Sequence, residues 1–301
     1  MKKTSNQLQT RLLTNGLHKP VKIISTIILS IAFFKPVLAK EDSGIPDSEY
    51  LKVCADPYML PFSNQKEEGY ENKIAQLLAK KLGLKLKYEF FPQRIGFIRN
   101  TLRAESENSL GYKCDLVISA PSNFELAATT EPYFTSTYVL VYAKGRKLDS
   151  ITDPAMLNKF VNEDGNEIKI GLPDRGPQQL WVFYNELMGS MIRYPGQSGD
   201  PKVNPGQQMV EDVVSGKIDA TIIWGPTAGY FARELKKENI ELVLIPLVDD
   251  PKKPEMRFSY SFSMAVRYGE KVWKEKINNL IKDNKPEIEQ ILIDYGVPLI
   301  K

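Results

Sequence analysis

The sequence predicts an α/β protein of two lobes, each a mainly parallel sheet flanked by helices, with two crossover strands between them. Three observations carry this. Over 301 residues the hydrophobic period switches repeatedly between two and 3.6. The strand–helix plan of the first half recurs in the second. Two β-rich segments, residues 138–143 (YVLVYA) and 258–266 (FSYSFSMAV), stand where the chain would leave one lobe and return to it.

In chain order, Leu51, Val53 and Ala55 alternate as a strand. Ile74, Leu77, Leu78 and Leu82 form one helical face, closed by Gly83. Leu84, Leu86, Tyr88 and Phe90 alternate again, a helix is predicted over 95–102, and 116–118 is a buried strand. In the second half, 168–172 is a strand and 178–188 a helix ending at Gly189. A helix over 205–214 ends near Gly216, followed by a strand at 218–223 and a helix at 228–235. Residues 113–118 (KCDLVI) resemble 217–222 (KIDATI): a charge, an aspartate, a buried strand, then a proline loop at Pro121 or Pro226. Helices at 272–281 and 286–295 close the chain, the latter with proline in its first turn. The predicted division is 1–39 as a signal peptide, 40–143 with 258–301 as lobe 1, and 144–257 as lobe 2.

The leader is basic, then apolar over 23–34, then Val37-Leu38-Ala39 before Lys40-Glu41-Asp42. This is the order of a cleavable secretory signal. The apolar run falls short of the roughly 20 residues that span a bilayer, so no membrane insertion is expected after cleavage. No cysteine marks a lipoprotein site. Six of the 40 basic residues and no acidic ones lie in this leader. The remainder, with 37 acidic residues, is mildly acidic and a poor partner for nucleic acid. The single histidine, His18, is also in the leader. Its removal would exclude Ser-His-Asp and Cys-His catalysis, histidine zinc sites and histidine-ligated haem. Cys54 and Cys114 are a candidate disulfide in an oxidising compartment. Two buried free thiols are the alternative.

Three stretches resemble the opening of a type II periplasmic solute-binding protein: LKVCADP at 51–57, LPF at 60–62 and GYENKI at 69–74. Residues 113–119 and Glu131-Pro132-Tyr133 continue the pattern, and the likeness spans nearly all of 50–295. A narrower set is similar to the methanol dehydrogenase-associated solute-binding-like proteins of the XoxJ/MxaJ type. It comprises VCADP (53–57), LPFSN (60–64), PQR (92–94), GFIRNTL (96–102), TTEPY (129–133) and WGPTAGYFA (224–232). The resemblance implies the two-lobed type II fold and a periplasmic location. It further implies an accessory or maturation role for a PQQ-dependent methanol dehydrogenase in methanol oxidation, with its c-type cytochrome as a further candidate partner. No cofactor of its own is expected.

Amino-acid-binding members of the wider family hold a zwitterion with an arginine in lobe 1 and a carboxylate in lobe 2, because both desolvated charges must be met. No arginine lies between Arg103 and Arg146, and the loop 119–126 (SAPSNFEL) offers Glu125 instead. Trp224 stands where the acid is expected. Unless Arg94 or Arg175 substitutes, a zwitterion would be bound badly, and an amino-acid receptor is disfavoured. Aromatic residues replace the clamps: Tyr58, Phe62, Phe97, Phe124, Tyr133, Trp224 and Tyr230 fall at element ends facing the expected cleft. They would accept a hydrophobic or extended partner segment; the plainer role of each is packing between lobes. Arg94 is a candidate anion or carboxylate fork, or else fixes a helix entrance. Arg99, one turn on, is expected to serve packing or solvent. Asp56 and Asp174 occupy matching places and suit turn or helix capping, although Asp56 is also a cleft candidate. Residues 162–167 lack the spacing of a calcium loop, and no metal site is assigned.

Three classes remain. The first is the accessory partner with an aromatic interlobe cleft, acting without catalysis. The second is a hinged ABC-transporter receptor for a small non-amino-acid solute. The third is an enzyme on the same scaffold, for which no nucleophile motif or glycine-rich phosphate loop speaks.

Overall fold

The computed structural model describes residues 44–107 and 111–300. The leader, its cleavage after Ala39 and His18 lie outside them. The first strand, β1 (Tyr50–Ala55), is buried along nearly its whole length, as befits a strand covered on both faces. A short hairpin, β2 (Tyr58–Met59) with β3 (Ser63–Asn64), leads to helix α1 (Tyr70–Leu82). The Asn72 side chain accepts the N–H groups of Gly69 and Asn64 at 3.1 Å each, tying the helix start to the hairpin. Gly69 is required there, because a Cβ would lie 2.1 Å from the Phe62 carbonyl oxygen. Gly83, at φ 68°, ends α1 in the left-handed conformation.

There follow β4 (Lys85–Phe90), the single turn α2 (Phe97–Asn100), β5 (Leu116–Pro121), β6 (Ala128–Thr129) and the long β7 (Phe134–Ala143). The second half contains α3 (Met156–Asn158) with a π turn at Lys159–Glu163, β8 (Ile170–Pro173), α4 (Pro177–Tyr184) and β9 (Met191–Tyr194). Next come α5 (Pro205–Ser215), β10 (Ala220–Trp224), α6 (Gly225–Lys236) and β11 (Leu242–Pro246). Finally β12 (Ser259–Val266), α7 (Lys271–Asp283) and α8 (Lys285–Asp294) return to the first half.

The sheet runs β4-β1-β5-β12-β7-β10-β8-β9, with β11 also on β7 and β6 also on β12. β1 is parallel to β4 and β5, and β8 is parallel to β9 and β10. The antiparallel strands β7 and β12 connect these parallel sets. Residues 134–137 of β7 pair with β12, whereas 138–142 pair with β10. The short sequence repeat has a geometric counterpart. Asp115 N–H donates to Lys52 O and Asp219 N–H to Lys169 O, both at 2.8 Å, so each aspartate opens a strand beside the first strand of its own half.

Separate apolar clusters underlie the two halves. One gathers Leu51, Ile74, Leu116, Met264 and Trp273; another gathers Leu140, Ile170, Trp181, Ile222 and Phe258. Cys54 and Cys114 are disulfide-bonded, with 5.4 Å between their Cα atoms. Beside them lies a buried ionic group. Arg267 pairs with Asp115 at 2.5 Å, donates to the carbonyls of Cys114 and Leu102, and stacks 4.0 Å from the Tyr112 ring centroid. Lys52 meets the other Asp115 oxygen at 3.3 Å.

Several element bounds differ from those predicted. The helix expected over 95–102 is one turn, because Gly96 turns the backbone to φ 92° before it and Thr101 leaves the helical region after it. α4 stops at Tyr184 rather than Met188; the Asn185 side chain bonds the Trp181 carbonyl, and Glu186 takes φ 57°. β9 and β11 were not foreseen. Both are only partly buried, so their apolar pattern is weak.

Candidate functional site: an aromatic cleft between the two halves

The cleft forms at the carboxyl ends of β1, β5, β8 and β10, where loops of both halves face each other. Pockets favour this position because strand ends leave a crevice that helices do not cover. Three connected cavities make one groove. The central cavity, about 350 Å³, is walled by Phe62, Ser119, Tyr138, Trp224, Tyr260 and Phe262. A larger one, about 730 Å³, shares Tyr138 and Trp224 with it and extends past Arg175, Gln178, Asn204 and Thr227. A third, about 520 Å³, continues past Ser119 and Pro121 to Phe97, Phe124 and Leu126. Gln93 borders all three.

The aromatic wall follows from strand register. Trp224 and Tyr138 are direct cross-strand partners on β10 and β7, their rings 5.4 Å apart and edge-on. Tyr260 and Phe262 lie two apart on β12 and so share a face. Their centroids stand 6.1 and 5.6 Å from that of Trp224. Phe262 stacks in turn on Phe134, 5.1 Å away. Burial, and then the neighbouring Tyr260, push the Tyr138 phenol up to about 12, so it remains a hydrogen-bond donor at neutral pH. Trp224 ends β10 and immediately precedes α6, whose first turn contains Pro226.

The opposite rim is held by polar contacts between the halves. Arg94 donates from Nη1 to the Gly199 carbonyl at 3.3 Å and from Nη2 to the Asp200 carbonyl at 2.9 Å. Asn204, which caps α5, donates from Nδ2 to Leu60 O at 2.8 Å. Lys202 Nζ sits 5.7 Å from the Tyr58 ring centroid.

Asp56 does not face the cavities. It is 2% exposed, and its carboxylate accepts the N–H groups of Tyr58 at 2.7 Å and Gln93 at 2.5 Å. Burial raises its pKa, and those bonds oppose the shift. Its action at the cleft is to anchor the loop that presents Gln93 and Arg94. Asp174 does the same in the second half, accepting Gly196 N–H at 2.7 Å. Phe62, Arg94, Phe97, Phe124 and Trp224 line the groove. Tyr133 lies in the core, its hydroxyl 3.0 Å from Ser119 Oγ, and borders a different groove beside Glu275 and Asn278. Tyr230 stacks on Tyr295 at 6.1 Å under Arg233, outside the cleft lining.

Sequence reasoning missed Tyr138, Tyr260 and Phe262. Their signal was present in the two crossing segments, whose alternation sends every second side chain to one face. Gln178 was also missed. It is fully buried at the start of α4, with Oε1 unpartnered and Nε2 only 3.4 Å from the Arg175 carbonyl. Trp224 lines the interlobe cavity together with Arg94, Asp174 and Arg175, and Leu126 is 49% exposed beside the third cavity. Among the described residues no group of three or more His, Cys, Asp or Glu could hold a metal ion, and no helix is long and apolar enough to cross a membrane.

Two sheet halves joined by antiparallel crossing strands, with a cleft at the strand ends, define a type II periplasmic binding protein. No family model matches the sequence. The crystal structure of the periplasmic binding protein XoxJ from Methylobacterium extorquens AM1 is 32% identical. It aligns at a TM-score of 0.63 over 83% of this chain and 99% of that one. The structure of MxaJ from Methylophaga aminisulfidivorans is 25% identical, with TM-score 0.63 over 83% of this chain and 100% of that one. MoxJ from Methylorubrum extorquens is 27% identical over 268 residues, 86% of this chain and 84% of the relative. The chain belongs to the XoxJ/MxaJ family of periplasmic binding proteins.

Proposed function

We propose that the protein is a periplasmic accessory or maturation partner of a PQQ-dependent methanol dehydrogenase. It acts without catalysis and receives an extended apolar segment in the cleft. The observation that carries this is the wall of Tyr138, Trp224, Tyr260 and Phe262, in a central cavity whose lining carries no charged side chain. Aromatic rings give large contact area at low conformational cost and prefer a partner that brings apolar surface. In this reading a signal peptide over 1–39 delivers the chain to the periplasm. Lobe 1 comprises 40–143 with 258–301, lobe 2 comprises 144–257, and the crossing strands serve as the hinge.

The test is native mass spectrometry and pull-down with the methanol dehydrogenase of the same organism, together with that enzyme's activity in a deletion strain. A complex and a loss of mature dehydrogenase are expected. No complex and unchanged dehydrogenase would overturn the proposal.

A second reading, a transporter receptor for a small non-amino-acid solute, draws on the polar side of the cleft. There Gln178 is buried with an open acceptor beside Arg175 and Thr227. A solute at 100 times its Kd would add about 2.7 kcal/mol of stability. A flat thermal-shift screen over neutral and anionic solutes would count against it.

A further inference from the structure

Beyond the aromatic wall, the 520 Å³ arm of the groove has a chemistry of its own. Its floor is apolar, built from Phe97, Ile98, Val117, Pro121, Phe124 and Leu126. Its rim carries three guanidinium groups, Arg94, Arg99 and Arg103, which come from or flank α2. None of the three takes part in an ion pair among the described residues. Arg94 spends its donors on two main-chain carbonyls, and Arg103 lies 5.8 Å from the Tyr268 ring centroid. Arg99 and Arg103 are exposed. The one carboxylate-bearing residue between Phe124 and Leu126, Glu125, does not line the arm.

The arm is also continuous with the interlobe cavity through Gln93, Arg94 and Ile95, and Ile95 is 98% exposed at that junction. An elongated groove with cations along one rim matches an extended chain better than a compact solute. The apolar floor takes anchor side chains, and the exposed Arg99 and Arg103 take flanking carboxylates in charge-assisted, fork-like bonds.

We propose that this arm recognises an extended acidic–apolar polypeptide segment, in which Leu, Phe or Trp anchors are flanked by Asp or Glu. The inference rests on the partner-binding reading above and specifies the chemistry of the segment bound. It is tested on the mature protein with a random dodecapeptide display library. Selection is run on the wild type and on a double variant, Arg99→Glu with Arg103→Glu, whose exposed positions leave the core untouched. Enrichment of acidic residues around large apolar ones is expected. Synthetic copies of the enriched peptides should bind at least tenfold more weakly to the double variant, and more weakly still as salt rises. Enriched peptides without acidic residues, or equal affinity for both proteins, would overturn the proposal. So would the absence of any enriched peptide together with saturable binding of phenylacetate or dodecanoate, which would assign the arm to small organic acids. Failure here is separable from failure of the proposed function. A dehydrogenase complex that forms equally with the double variant counts against this arm alone, whereas no complex with the wild type counts against the partner reading.

Discussion

Arg94 reaches across the cleft to the main chain of Asp200, its Nη2 2.9 Å from that carbonyl oxygen, while Nη1 donates to Gly199. These bonds join a loop anchored by Asp56 in the first half to the segment preceding α5 in the second. A hydrogen bond from a charged donor contributes about 1.5–3 kcal/mol. Arg94→Ala is therefore expected to shift the two halves apart, with amides of 198–204 exchanging about tenfold faster or more and a larger radius of gyration in solution. Unchanged exchange there would show that Asn204 and Lys202 hold the rim without it.

Trp224 is the centre of the aromatic wall, touching Tyr138, Tyr260 and Phe262. It is only partly buried. Under the proposed function, Trp224→Ala is expected to weaken binding of the dehydrogenase by about 2 kcal/mol or more, the level of an interface hot spot. Its cost to folding is expected to be smaller. Calorimetric titration and urea unfolding of the same variant check this; equal losses would make Trp224 a core residue.

Glu71, in the first turn of α1, is buried at 4% exposure, with Oε1 unpartnered. Burial, aided by the charge of Asp56 and opposed by the Ser119 hydroxyl, pushes its carboxyl up to about 8. The folded protein thus keeps a proton that the unfolded chain releases at the ordinary carboxylate value. Stability falls as pH rises from about 4.5 towards 8, because the native state binds more protons in that window. Glu71→Gln is expected to flatten this slope, as read from urea midpoints between pH 5 and 8.

The Arg267–Asp115 pair is buried beside the disulfide, and Arg267 also serves two carbonyls. Arg267→Met leaves Asp115 with Lys52 as its one counter-charge among the described residues and is expected to cost about 3–5 kcal/mol. Equilibrium urea unfolding measures it.

The Cys54–Cys114 bond closes a 60-residue segment. On the loop-entropy account its removal by paired alanine substitutions is expected to destabilise by about 4 kcal/mol. The drop in denaturant midpoint should match the shift produced by reductant on the wild type.

Much of the fold was legible because it rests on local rules. Gly83 and Gly216 ended helices where the period stopped, and the repeat around Asp115 and Asp219 marked equivalent strand openings. The site was less legible. Asp56 and Trp224 both stand at the carboxyl ends of strands, yet one is buried in main-chain bonds and the other walls the cleft. Tyr133 and Tyr230 carry the same phenol as Tyr138, and only strand register and helix packing separate the three roles.

The sequence by itself determined the alternation of elements and the two crossing segments, because periodicity and residue type are properties of single positions and their near neighbours. Only the tertiary structure decided which rings face one another, that Arg94 bridges to Asp200, and that three arginines without an ion pair among the described residues border an apolar arm. Those relations join residues separated by up to more than a hundred positions, and they are set by strand register and by how two separately packed cores meet, which no local pattern encodes.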